Sequence, residues 1–145
     1  MKLVDTISSV LRQKGGEVYH ISPRHSVYDA IEMMADKHVG ALLVIAEGRL
    51  LGVISERDYA RKVILKGKVS KQTTVSEIMT SPAIHVSPRH TVDECMALMT
   101  EKRIRHLPVT ERGRVIGVVS IGDLVKAVIE DQQHTIEQLE SYIHS

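Results

Sequence analysis

The sequence predicts a mixed α/β (α+β) fold built from two tandem β-α-β-β-α units. Displaced by 65 residues against itself, the chain aligns Val18–Ile64 with Ala83–Ile129 without a gap, and 18 of those 47 positions are identical. Each copy holds one stretch of helical periodicity followed by two β-rich runs around a glycine turn. Each copy also closes on Gly-apolar-apolar-Ser-x-x-Asp, as "GVISERD" at 52–58 and "GVVSIGD" at 117–123. A repeat unit often cannot bury its apolar face alone, so the two copies are expected to pack as one body.

The elements follow in order. Lys2 to Leu11 reads as a short leading helix, and residues 1–17 as that helix with its linker. The first unit spans 18–66 and opens with a short strand. Its first helix carries Val27, Ala30, Ile31, Met34 and Ala35 at i, i+3, i+4, i+7 and i+8, and Val92, Cys95, Met96 and Met99 repeat most of that stripe. Thr91 and Glu94 form a capping box at the helix start, and Ser26 with Asp29 a weaker one. Next come the runs Ala41–Ile45 and Leu50–Ile54 around Gly48, matched by Leu107–Thr110 and Val115–Val119 around Gly113. Glycine there can take the positive φ of a tight hairpin turn. A second helix begins at Ser55 or Ser120. Residues 67–79 form a polar linker ending in a helical turn, Thr74–Glu77. The second unit spans 80–130, and 131–145 extend its last helix. Ile129, Ile136 and Ile143 recur every seven residues with Leu139 between, a seam suited to another helix.

Composition excludes several classes. At 145 residues, 43% hydrophobic and 26% charged, the chain has room for one compact domain or two small ones sharing a core. Its longest apolar run, Ala41–Ala46, is far short of the roughly 20 residues of a membrane helix, and Met1-Lys2-Leu3 opens no secretory signal, so a cytoplasmic protein without a membrane partner is expected. The lone Cys95 cannot form an internal disulfide and lies on an apolar stripe, as a small core residue does. A net charge of +1, with 3% aromatics and no Phe or Trp, supplies neither the basic surplus nor the stacking platforms of a nucleic-acid binder.

The duplicated pattern "SPRHTV…RIRHLPVTERGRVIGVVSIGDL" resembles a tandem pair of cystathionine β-synthase (CBS) domains, a Bateman module. The likeness covers nearly the whole chain, and is nearest to small stand-alone CBS-pair proteins. It implies two units related by pseudo-twofold symmetry, clefts that bind AMP, ATP or NAD(H), assembly as a homodimer or higher homo-oligomer, and an unidentified partner protein that reads the nucleotide signal. It implies no catalytic role, and no metal is expected.

The residues fit that chemistry independently. An ionised carboxylate accepts two hydrogen bonds in fixed geometry, which suits vicinal ribose hydroxyls, and Asp58 and Asp123 are the candidates. Phosphate needs donors. Those available are Ser55, Ser120, Arg57 beside the first motif, and Arg105-His106 in "RIRHLPV", a basic pair that matches the family's phosphate-binding position residue by residue. Adenine is expected against Thr80 to Ile84 in one copy and near Tyr19 in the other. The halves differ: Gly40-Ala41 stand where the second copy has Arg105-His106, and Gly122 stands where the first has Arg57.

Other readings of the same residues stay open. Ser-x-x-Asp at a strand-to-helix junction serves equally as a capping box, and a cap would be copied along with its helix. His20, His25, His85 and His90 make two H-x₄-H pairs, but these cross a strand end and a Pro turn, and surface or hydrogen-bonding roles fit them better. Against an enzyme, no P-loop, G-x-S-x-G, paired metal-ligand set or Rossmann fingerprint occurs. A dimeric scaffold without ligand is the main alternative to a nucleotide sensor.

Overall fold

The computed structural model describes Asp5–His144. Residues 2–4 of the expected leading helix lie outside that range. The helix itself, α1, runs over Ile7–Lys14, further along the chain than expected. The first repeat then gives β1 (His20–Ile21), α2 (Val27–Lys37), β2 (Ala41–Ala46), β3 (Arg49–Ser55) and α3 (Glu56–Tyr59), followed by a π-turn at Ala60–Ile64. After a 3₁₀ turn at Ser70–Gln72 and the short α4 (Val75–Ile78), the second repeat gives α5 (Val92–Lys102), β4 (His106–Glu111), β5 (Arg114–Ser120) and α6 (Ile121–His144). Among the described residues no helix is long and apolar enough to cross a membrane.

The chain divides into two compact units that cut across the repeat boundaries. One comprises Glu17–Ile84 with Arg112–Val115; the other comprises the residues up to Gly16, His85–Glu111 and those from Ile116 onward. The leading helix therefore belongs with the second repeat, and the turn that ends the linker belongs with the first. The two play the same part. Val92 donates its amide to Asp5 O (2.9 Å) and Ile7 to His90 O (2.8 Å), as Val27 donates to Thr73 O (2.8 Å) and Val75 to His25 O (2.8 Å). In both units the segment heading the short helix satisfies amides at the start of the repeat's first helix, donors that a helix cannot satisfy itself.

Each core repeats position by position. Ile21, Val27, Ala30, Met34, Leu42, Val44 and Ile54 are buried in one unit, and their counterparts Val86, Val92, Cys95, Met99, Leu107, Val109 and Val119 in the other. Ile31 is half-buried and Ala35 exposed, so the buried stripe of α2 is narrower than its sequence spacing. Both hairpin turns put two residues at positive φ, Glu47 (53°) with Gly48 (75°) and Arg112 (51°) with Gly113 (76°), the geometry that matches strand twist in a two-residue loop.

The copies differ at their first strand. In the first repeat β1 runs parallel to β2, with His20 opposite Leu43 and Ile21 opposite Val44, and the Leu43 amide donates to Tyr19 O at 3.2 Å. In the second, the expected strand shrinks to a single bridge between Val86 and Val109. The counterpart of Leu43 is Pro108, which has no N–H to donate to Ile84, so the ladder stops one bond early. The second helix also differs. It breaks into a π-turn after Tyr59 in the first repeat but continues for 24 residues as α6 in the second.

Candidate functional site

Each repeat turns from strand to helix at its Ser-x-x-Asp motif. In the first, the Ser55 amide and hydroxyl both donate to Asp58 Oδ2 (3.0 Å each), and the Asp58 amide donates back to Ser55 Oγ at 3.2 Å. This is a complete capping box. The other carboxylate oxygen, Oδ1, takes Lys62 Nζ at 3.1 Å and the Thr80 hydroxyl at 3.4 Å. Thr80 reaches it because its amide and carbonyl both pair with Val53, at 2.9 and 3.0 Å, alongside β3. The approach requires Gly52: a Cβ there would stand 2.5 Å from Thr80 O. Asp58 keeps 13% of its side-chain surface exposed, with two donors already on Oδ2 and two on Oδ1.

The second corner has the same plan and a different cation. The Ser120 amide donates to Asp123 Oδ2 at 2.8 Å and the Asp123 amide to Ser120 Oγ at 3.2 Å. Lys14, the last residue of α1, donates to the same Oδ2 at 2.6 Å and to Val118 O at 2.8 Å. Gly117 lets α1 lie this close, since a Cβ there would come within 2.6 Å of Leu11 Cδ2. Burial pushes the Asp123 carboxyl up, but the Lys14 and Ser120 hydrogen bonds outweigh it and hold the group below its ordinary range.

Arg105 and His106 stand beside that corner. The Arg105 carbonyl accepts the Ile121 amide at 2.9 Å, which ties the start of β4 to the start of α6. Burial pushes the His106 imidazole down; the charges of Lys14 and Arg105 push the same way and Asp123 opposes them. One carboxylate and three basic side chains thus share an electrostatic neighbourhood in a single unit.

The structure sorts the expected residues into two sets. Ser55, Arg57, Asp58, Tyr19, Thr80 and Ile84 fall in the first-repeat unit, and Arg105, His106, Ser120 and Asp123 in the second. Adenine was expected against Thr80 to Ile84 in one copy and near Tyr19 in the other; both segments lie in the first-repeat unit, where Thr80 pairs with Val53 and Ser81 Oγ donates to Leu51 O at 2.8 Å. Arg57 is exposed on α3, Ile84 is half-buried, and the Tyr19 ring lies 5.6 Å from the Lys37 ammonium. Two site residues escaped sequence reasoning, Lys62 and Lys14. Lys62 stood in plain view at i+4 from Asp58, a spacing that pairs charges on a helix. Lys14 had no such signal, being 109 residues from Asp123.

Three of the four histidines in the H-x₄-H pairs have side-chain or backbone partners. His25 Nδ1 lies 3.1 Å from Asp29, His90 Nδ1 accepts the Ser87 amide at 3.0 Å, and His85 Nδ1 lies 2.9 Å from the Thr110 hydroxyl.

Comparison with known proteins agrees with the duplication. The family profile described as CBS domain matches residues 8–65 and again 75–130. The mitochondrial CBS domain-containing protein CBSX3 of Arabidopsis thaliana is 43% identical over 147 residues, covering 95% of this chain and 71% of the relative. The solved structure of a candidate signal-transduction protein with CBS domains from Burkholderia ambifaria superposes with a TM-score of 0.84 at 51% identity, over 88% of this chain and 96% of that one. A hexameric CBS-CP12 protein from bloom-forming cyanobacteria superposes with a TM-score of 0.76 at 27% identity, over 86% and 68% of the two chains.

Proposed function

Because this chain belongs to the CBS domain family, we propose that it is a regulatory module that binds an adenine nucleotide, AMP, ATP or NAD(H), and signals energy or redox state to a partner protein through a change of conformation or assembly. The supporting observation is the grouping of Asp123 with Lys14, Arg105 and His106 in one unit. A carboxylate able to accept from a ribose diol stands there beside three potential phosphate donors. Ser120 completes the corner. In the first-repeat unit Asp58, Ser55 and Thr80 provide the sugar reader, Arg57 and Lys62 the cations, and Tyr19 and Ile84 apolar surface for a base.

Both aspartates already cap their helices; at Asp58, with two donors on each oxygen, a ribose would have to displace Lys62 or Thr80 from Oδ1, whereas Asp123 has room beside its cap. A carboxylate has about four lone-pair sites, and in Asp123 the described bonds all converge on Oδ2. A ribose would share the carboxylate with Ser120 and compete with Lys14, whose ammonium would then turn to the phosphate. Ligand binding thereby acts on α1, and differential affinity for the two placements of Lys14 is the lever a sensor needs. The reading places the protein in a reducing, nucleotide-rich compartment such as the cytoplasm, assembled as a homodimer or larger homo-oligomer, with no catalysis of its own.

Titration calorimetry with AMP, ADP, ATP, NAD⁺ and NADH tests it. At least one is expected to bind, and to raise thermal stability by RT ln(1+[L]/Kd), about 2.7 kcal/mol at a hundredfold excess over Kd. Asp123→Ala is expected to weaken the binding; unchanged affinity would remove Asp123 from the site. No heat from any nucleotide would leave the ligand-free scaffold, and turnover of the nucleotide would make the protein an enzyme.

A further inference from the structure

The last helix carries a seam that its own unit leaves uncovered. α6 packs on α1 and α5, and its covered side carries the buried Leu124 and the half-buried Ala127, Val128, Asp131 and Thr135. About 100° round the helix a second apolar line faces solvent: Val125 (42% exposed), Ile129 (60%), Ile136 (47%), Leu139 (59%) and Ile143 (73%). From Ile136 through Ile143 every residue is exposed. The spacing is heptad, with Ile129, Ile136 and Ile143 at a and Val125, Gln132 and Leu139 at d. A helical stretch of this length is marginal in water without tertiary packing.

We propose that this seam is covered by the same helix of a second copy of the chain, running antiparallel. Antiparallel pairing sets a against d of the partner. One register fills every layer: Val125 opposite Ile143 of the partner subunit, Ile129 opposite Leu139 of the partner subunit, Gln132 opposite Ile136 of the partner subunit, and the reciprocal three. In that register the flanking e positions meet each other, so Lys126 falls beside Glu140 of the partner subunit and Glu140 beside the partner's Lys126, two ion pairs related by the dyad. Gln133 meets its own copy at the axis. The polar residues Gln132, Gln133 and Thr135 gather around the dyad and the apolar layers extend to either side. A parallel pair would set Glu140 near Thr135 of the partner subunit and match neither charge.

The charge pattern is what selects a second copy as the occupant. From Glu130 onward the helix holds Glu130, Asp131, Glu137 and Glu140 and no Lys or Arg, so its far end is acidic and complements a basic surface. The antiparallel register supplies one from the helix's own first turns. The inference is independent of nucleotide binding, and it goes beyond dimerisation by naming the surface and its direction.

Sedimentation equilibrium over a range of protein concentration tests it, on the full chain. The wild type is expected to dimerise, and Ile136→Asp to abolish the dimer while circular dichroism reports an unchanged melting transition for the body. Lys126→Glu and Glu140→Lys are each expected to raise the dimer dissociation constant several-fold, and the double exchange to restore it. Gln133→Cys is expected to form a disulfide-linked dimer under mild oxidation, the native Cys95 being buried. A wild-type monomer, a dimer untouched by Ile136→Asp, or a double exchange that fails to restore association would each overturn the proposal.

Discussion

Lys14 Nζ lies 2.6 Å from Asp123 Oδ2, joining the last residue of α1 to the first turn of α6. The two side chains are 34% and 23% exposed, so the pair is partly screened, and loss of the cation is expected to cost about 0.5–1 kcal/mol. Asp123 is depressed in the folded state. Its contribution is therefore present above the ordinary carboxylate range and lost as pH falls through the folded value. Lys14→Met is expected to lower stability at pH 7 and to lose less than the wild type on acidification; urea melts at neutral and acid pH compare the two.

His106 is held below the ordinary value of 6.5, first by burial and then by Lys14 and Arg105, against the pull of Asp123. The unfolded chain therefore takes up the proton first, and stability contributed by the neutral ring is present above 6.5 and lost as pH falls from there through the folded value. His106→Gln removes that loss. The wild type is expected to lose more stability between pH 7.5 and pH 5.5, about one pH unit either side of the ordinary histidine value. Equal slopes for the two proteins would show that His106 is not perturbed.

Gly52 and Gly117 occupy the same place in the repeat but meet different neighbours. At Gly52 a methyl would meet the backbone oxygen of Thr80 at 2.5 Å; at Gly117 it would meet the end of the Leu11 side chain at 2.6 Å. A side-chain tip can turn away and a paired backbone cannot. Gly52→Ala is expected to cost about 1–3 kcal/mol and Gly117→Ala less. Chemical denaturation of both variants ranks them, and the reverse order would contradict the packing at Thr80.

Cys95 is fully buried, and burial, aided by the charge of Glu94, pushes its thiol up to about 11. A thiol so protonated is a poor nucleophile. A disulfide reagent at pH 8 is expected to leave the native protein unmodified and to titrate one thiol per chain after denaturation.

Local signals determined most of what could be read from the chain alone: the duplication, both hairpins, the caps at Thr91 and Ser55, and the length of α6. The duplication shows in the letters themselves; each of the others depends on neighbours a few residues away, where periodicity, a glycine at positive φ or a hydroxyl three residues before an acid acts directly. Pro108 belongs with these, since its missing N–H was visible as a letter although its effect on the second copy's first strand went unread. The counterpart relation of α1 and α4 was visible too, as "TISSV" at 6–10 against "TVSEI" at 74–78, but at an offset of 68 that the 65-residue repeat hides.

Tertiary structure decided which segment serves which carboxylate. Thr80 comes to Asp58 through backbone pairing with Val53, and Lys14 comes to Asp123 because Leu11 fits against Gly117. Backbone hydrogen bonds and close packing between segments dozens of residues apart carry no periodicity, so Thr80 at Asp58 and Lys14 at Asp123 had to wait for the folded chain, whereas Lys62 was within four residues of its partner.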